Sequence, residues 1–243
     1  MTFLNMKRRA TVATFMLAFT LMACSKERVA PNPAVTPPLV ADSSVAKSFL
    51  ALGDSYTIGS SVSIEERFPV QTRTRLVQAG LQITSPNIIA VSGWTTGSLL
   101  SSLNQSPPAN NYDVVTLLIG VNNQYQGRSQ DEYRIQFTTL LEKAISYAGG
   151  RRNRVFVLSI PDYSVTPFAQ NSDTARISRE IDAFNAINKQ ITLAGAVTYL
   201  DITGISREAR LDPSLIAGDG LHPSGKQYTR WTTLLVPLIQ AAL

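Results

Sequence analysis

From residue 48 onward, short apolar runs alternate with longer stretches whose apolar residues fall at helical spacing. The runs are SFLAL (48–52), NIIAV (87–91), DVVTLLI (113–119), RVFVLSI (154–160) and VTYLDI (197–202). They are short, rich in β-branched residues and apolar at consecutive positions, which is the pattern of strands covered on both faces. Residues 129–148 place Phe137, Leu140, Leu141, Ala144, Ile145 and Ala148 at three- and four-residue steps, which predicts a helix with one apolar face. Ser129 and Glu132 open it as a capping box, and Gly149 closes it. Residues 174–194 repeat the spacing with Ile177, Ile181, Phe184, Ile187 and Ile191, and stop at Gly195. A last helix begins near Ser224, with Gln227 completing another capping box. Its spacing predicts burial of Trp231, Leu234, Leu235, Leu238 and Ile239. This alternation predicts an α/β domain with a mostly parallel five-stranded sheet and helices on both faces. In such sheets ligands bind beyond the carboxyl ends of the strands.

The first 46 residues follow different rules. Lys7, Arg8 and Arg9 precede the apolar segment ATVATFMLAFTLMA. That segment is shorter than the roughly 20 residues a membrane span needs, so it reads as a secretory signal. It ends in LMAC, Leu21 to Cys24, which resembles the lipobox of bacterial lipoproteins. The resemblance implies lipid attachment at Cys24 and, through Ser25 after it, passage to the outer membrane. Residues 26–46 hold Pro31, Pro33, Pro37 and Pro38 and read as an extended tether. The expected division is a signal at 1–24, a Pro-rich linker at 25–46 and a folded domain at 47–243. Ser44 to Lys47, SVAK, matches Ser-x-x-Lys by chance at the end of the linker.

With 243 residues, 44% of them apolar, the chain has enough for one packed domain and an appendage. Three of its 22 basic residues are Lys7, Arg8 and Arg9, so the rest is close to balanced against 17 acidic residues. That argues against a nucleic-acid partner, and the cluster RRNR at 151–154 reads as a solvated loop. One cysteine rules out an intrachain disulfide, and one histidine rules out His-rich metal sites. Gly-x-Ser-x-Gly, Gly-x-Gly-x-x-Gly and Walker A sequences are absent. No cofactor or metal is expected, and a monomer is.

Chemistry gathers at the strand ends. GDSY (53–56) follows the first run, SGWTTG (92–97) the second and GVNN (120–123) the third, while DGLHPS (219–224) precedes the last helix. A serine hydroxyl needs a base to attack at neutral pH, and His222 is the available one. Asp219 can orient His222, with Asp162 as a rival acid. The backbone N–H groups of Ser55 and Gly93 and the side-chain amide of Asn122 are candidate oxyanion donors. Gly93 is read as letting substrate approach the backbone. Each fragment alone has an ordinary reading: a chance tripeptide, a structural histidine, a turn-forming Asn, a tight turn. Trp94, Tyr56 and Tyr125 stand beside the motifs as lining of an acyl pocket, as a sugar platform or as ordinary packing.

Together Ser55, Gly93, Asn122 and His222 resemble the SGNH/GDSL hydrolases. The match rests on GDSYTIG, on Gly-x-Asn at 120–122 and on Asp-x-x-His-Pro at 219–223, and spans about residues 48–240. It implies a three-layer α/β/α, flavodoxin-like fold and ester hydrolysis through an acyl-serine intermediate. The family often has Asp where this chain has Asn123, which puts a supporting loop contact in question rather than the chemistry. The substrate stays open among short-chain acyl esters, lysophospholipids, thioesters and O-acetylated glycans. The alternative is a non-catalytic envelope lipoprotein that uses the fold as a binding module.

Overall fold

The five apolar runs become five strands of one parallel sheet. The computed structural model describes residues 45–243; the signal, Cys24 and the linker through residue 44 lie outside the described residues. The strands are β1 (Phe49–Gly53), β2 (Asn87–Ala90), β3 (Val114–Leu118), β4 (Val155–Leu158) and β5 (Thr198–Leu200). The helices are α1 (Ser55–Ile58), α2 (Phe68–Gln78), α3 (Thr96–Gln105), α4 (Val121–Tyr125), α5 (Gln130–Tyr147), α6 (Thr174–Ala194), α7 (Thr203–Arg207) and α8 (Gly225–Ala242). The sheet order is β2-β1-β3-β4-β5. This is the flavodoxin-like arrangement, in which the order reverses between β1 and β3.

Right-handed crossovers then fix the layers. The step from β1 to β2 runs one way and places α2 on one face. The steps from β2 through β5 run the other way and place α3, α5 and α6 on the opposite face. Packing agrees: α2 contacts α8, while α5 contacts both α3 and α6. The central strands β1, β3 and β4 are buried along their whole length, and the edge strands β2 and β5 are partly exposed. Among the described residues no helix is long and apolar enough to cross a membrane.

The helix ends show where local pattern and tertiary structure part. Ser129 caps α5 by accepting from the Glu132 N–H at 3.1 Å, but the Glu132 carboxylate turns away to accept from Gln136. Ser224 likewise accepts from the Gln227 N–H at 3.3 Å, while the Gln227 amide donates to the Leu215 carbonyl. Both boxes are therefore one-sided, because a better partner lies off the helix. Gly149 sits past the end of α5 at φ 65°, and Gly150 N–H reaches back to the Ile145 carbonyl. Gly195 ends α6 at φ −78°, and Ala196 takes the left-handed position instead. In α8, Trp231, Leu235 and Ile239 are fully buried, but Leu234 and Leu238 are 44% and 36% exposed. The apolar stripe of α8 is narrower than its composition implies, since those two lie on its flank.

Candidate active site

At the end of β1 the chain has no room for a side chain. A Cβ on Gly53 would stand 2.1 Å from the Thr57 hydroxyl and 2.4 Å from the Leu118 carbonyl. Asp54 then caps α1, its carboxylate accepting from the Tyr56 N–H at 3.0 Å. Ser55 is the first residue of this one-turn helix, which Gly59 ends at φ 72°. The Ser55 N–H therefore has no acceptor within its helix, and its side chain borders a cavity of ≈ 190 Å³.

The second and third turns meet the same cavity. Gly93 lies at φ 85°, and a Cβ there would meet nothing within 4 Å. The glycine is thus favoured by its backbone angle, and the space a Cβ would take beside the cavity is open. The Asn122 amide donates to the Trp94 carbonyl at 3.0 Å, which ties α4 to the Gly93 turn. An amide has two N–H groups, so one stays available to the cavity that Asn122 lines.

Asn123 is fully buried and answers the question its identity raised. It accepts from the Thr96 N–H at 2.9 Å and donates to the Thr96 hydroxyl at 2.7 Å. That hydroxyl donates onward to Gln136 at 2.5 Å, and Gln136 to Glu132 at 3.1 Å. An aspartate could keep the first bond but would draw the Thr96 proton to itself. The asparagine sends the chain of donors toward α5.

The fourth segment is a loop pinned by the Ala217 N–H to the His222 carbonyl at 2.7 Å and turned by Gly220 at φ 73°. Asp219 Oδ1 accepts from the N–H groups of Leu221 and His222, both at 3.0 Å. Asp219 Oδ2 meets His222 Nδ1 at 2.5 Å and accepts from the Ser61 hydroxyl at 2.6 Å. Partial burial pushes the Asp219 carboxyl up, but the His222 ring, Ser61 and the two N–H groups outweigh it. The net result is a pKa well below the usual carboxylate range. An ionised acceptor at Nδ1 assigns the ring proton to that nitrogen and leaves Nε2 as an acceptor. The Tyr56 ring meets the imidazole edge-on, with centroids 5.7 Å apart.

His222 and Ser55 line the same cavity. No hydrogen bond of 3.5 Å or less joins them, and such bonds are commonly long until substrate is seated. Asp162 is elsewhere. It caps a short turn through the Ser164 N–H and accepts from Ser178 at 2.7 Å and Arg207 at 2.9 Å. Among the described residues no group of three or more His, Cys, Asp or Glu is placed to hold a metal.

Of the three aromatics flagged beside the motifs, Tyr56 and Tyr125 line the cavity, while Trp94 contributes its carbonyl instead. The sequence reading missed Tyr163 and Phe168. With Tyr125 they form a three-ring wall, centroids 6.0–6.3 Å apart. Phe168 is 49% exposed and its N–H donates to the Gly220 carbonyl at 3.0 Å, which fastens the wall to the His222 loop. A signal existed: both rings follow β4, on the sheet edge where ligands bind.

A parallel sheet of this order, with its polar side chains gathered where the strand order reverses, is the frame of an α/β/α hydrolase. Residues 51–230 match the GDSL-like Lipase/Acylhydrolase family, and the chain belongs to it. It is therefore an ester hydrolase of the GDSL type. Among solved structures, a lipase/acylhydrolase from Enterococcus faecalis is similar at 18% identity and TM-score 0.61, covering 80% of this chain and 96% of that one. The acetylxylan esterase Axe2 from Geobacillus stearothermophilus is similar at 19% identity and TM-score 0.59, covering 79% and 94%. A psychrotrophic esterase, EstA from Pseudoalteromonas sp., is similar at 18% identity and TM-score 0.58, covering 80% and 97%. At these identities the likeness speaks to the fold alone. No curated protein sequence matches the chain significantly.

Proposed function

We propose that this ester hydrolase works through an acyl-serine intermediate on Ser55. The observation that carries the reading is His222, on the wall of the cavity that Ser55 borders, with Asp219 behind it at 2.5 Å from Nδ1. His222 Nε2 takes the Ser55 proton as Oγ attacks the ester carbonyl. The tetrahedral oxyanion is held by the N–H groups of Ser55 and Gly93 and the free amide N–H of Asn122. His222 then gives its proton to the departing alcohol. Water attacks the acyl-serine, again with His222 as base, and releases the acid. Asp219 fixes the ring and stabilises the imidazolium.

For the substrate we propose a neutral ester with a short or medium apolar acyl group. The cavity is small, ≈ 190 Å³ and open to solvent on one side, is walled by Val121, Leu221 and the three rings, and has no Asp, Glu, Lys or Arg in its lining. Apolar walls reward apolar area and would leave a charged headgroup unpaired. That the similar folds include an acetylxylan esterase and a lipase/acylhydrolase keeps both short and longer acyl groups in the test. On p-nitrophenyl esters from acetate to palmitate, kcat/KM is expected to peak by octanoate and fall toward palmitate. A profile still rising at palmitate would overturn the small acyl pocket. No turnover of any ester, with no labelling by a fluorophosphonate, would overturn the enzyme reading in favour of a binding module.

We also propose that Cys24 is lipidated and holds the domain at the outer membrane through the Pro-rich linker. The support is the LMAC sequence at the end of the apolar segment and the absence of any other cysteine. Cells fed labelled palmitate are expected to label the wild type and not Cys24→Ser, which should leave the membrane fraction. Equal labelling and equal membrane retention would remove the anchor.

A further inference from the structure

Directly after the helix that carries Ser55, the chain makes a turn that local preference does not explain. Ser61 stands at φ 66°, in a backbone region that L residues avoid. Among the described residues two other non-glycines share that property, Asn111 and Ala196, and neither bonds to Asp219 or His222. A glycine would sit at position 61 without strain. What serine adds there is a hydroxyl, and that hydroxyl donates to Asp219 Oδ2 at 2.6 Å, across 158 positions of sequence.

The acceptor is the oxygen that also meets His222 Nδ1. Asp219 thus has four donors: two N–H groups of its own loop on Oδ1, and the His222 ring and Ser61 on Oδ2. Of these, Ser61 is the one that comes from the Ser55 segment. The preceding residue does the same on the other side, since the Ser60 and Ser92 hydroxyls are 2.6 Å apart, next to Gly93. Two consecutive serines therefore tie the Ser55 turn to both loops that complete the site.

We propose that Ser61 is a positioning residue: its hydroxyl, held by an unfavourable backbone conformation, fixes the Asp219 carboxylate in register with His222 and shares its negative charge. The inference rests on the reading of Asp219 and His222 as the orienting acid and the base. Two consequences follow from the chemistry. With one donor fewer, Asp219 turns more of its charge on the ring, and the protonated imidazole is favoured. The carboxylate is also freer to rotate, so fewer molecules hold the geometry the reaction needs. Other ionisable groups near the pair are the phenols of Tyr56 on α1, Tyr228 on α8 and Tyr163 after β4, which burial pushes up, with Tyr125 on the same cavity and Asp54, Asp162 and Arg67 beyond Tyr56 and Tyr228.

The chain has one histidine, so its ring titration can be followed by ¹⁵N NMR without assignment. In Ser61→Gly the ¹⁵N midpoint is expected to rise above that of the wild type, and kcat on p-nitrophenyl butyrate to fall about tenfold with KM unchanged. The thermal midpoint should hold or rise, because glycine relieves the backbone. Ser61→Ala, which keeps the strain, should show the same titration shift with a lower thermal midpoint. An unmoved midpoint in both variants would overturn the proposal, whether or not kcat falls. If the wild type itself neither turns over esters nor takes a fluorophosphonate, the acyl-serine reading fails, and the titration still decides whether Ser61 acts on the pair.

Discussion

Ser55→Ala is expected to lower kcat on p-nitrophenyl butyrate by roughly 10⁴–10⁶-fold and to abolish fluorophosphonate labelling. The fold should survive the change. Ser55 is 6% exposed, but the turn it occupies is held by its neighbours: Asp54 caps it, Gly59 ends it, and the Tyr228 hydroxyl donates to the Tyr56 carbonyl at 3.0 Å. The Ser55 hydroxyl has no part in those bonds, so its loss removes one polar atom from a cavity wall and little packing. The thermal midpoint should stay within a few degrees of the wild type, and residual turnover should come from the donors at Gly93 and Asn122, which can still polarise a carbonyl for attack by water. Activity within tenfold of the wild type, from a variant purified away from host esterases, would take the nucleophile away from Ser55.

That a mutation can be so damaging to activity and so mild to structure reflects what the sequence displayed. The sheet was legible because burial on both faces leaves a run of apolar residues that little else produces, and β1, β3 and β4 are such runs. The two long helices on one face were legible because α5 and α6 bury a regular stripe. α2 and α3 were not singled out. α2 buries Phe68, Thr72 and Leu76, and α3 buries Thr96, Leu99 and Leu103; stripes this thin are interrupted by buried threonines that a hydrophobic pattern does not count. The site divided in a similar way. Asp219 and His222 are three residues apart, so a single turn can join them and their pairing could be read locally. Ser61 and Asp219 are 158 apart, and nothing local in SSV marks a hydroxyl bound for a carboxylate. Asn123 could be seen to differ from the family pattern, but its use depends on Thr96 and Gln136, which only the packing of α3 on α5 brings together.

Asp54 is structural, the cap of α1, and its surroundings make that role pH-dependent. It is fully buried; Oδ1 takes the Tyr56 N–H, the Gly120 N–H faces the carboxyl, and Oδ2 has no partner. Burial raises its pKa from 3.8 to about 7, against the backbone N–H groups that pull it down. The native chain therefore holds a proton between about pH 4 and 7 that the unfolded chain has released. The stability tied to that proton is complete below the unfolded pKa and is lost as pH rises through 7. Other shifted carboxyls do not mask this window, since Asp162, Asp212 and Asp219 are all displaced downward and titrate below it. The nearby phenols of Tyr56, Tyr133 and Tyr228 are pushed up and titrate above it. Asn at position 54 imitates the protonated acid: its oxygen can accept from Tyr56, and its NH₂ replaces the O–H. In urea unfolding, Asp54→Asn is expected to gain on the wild type by about 2–3 kcal/mol between pH 5 and pH 8, with the two converging only below about pH 4, where the unfolded carboxyl is protonated as well. A difference that does not change over that range would mean that Asp54 is already ionised at pH 5 in the native chain. Its unpaired oxygen would then have to be satisfied by a donor strong enough to cancel the cost of burial, and Asp54 would anchor the Ser55 turn as a charge at every pH at which the enzyme works.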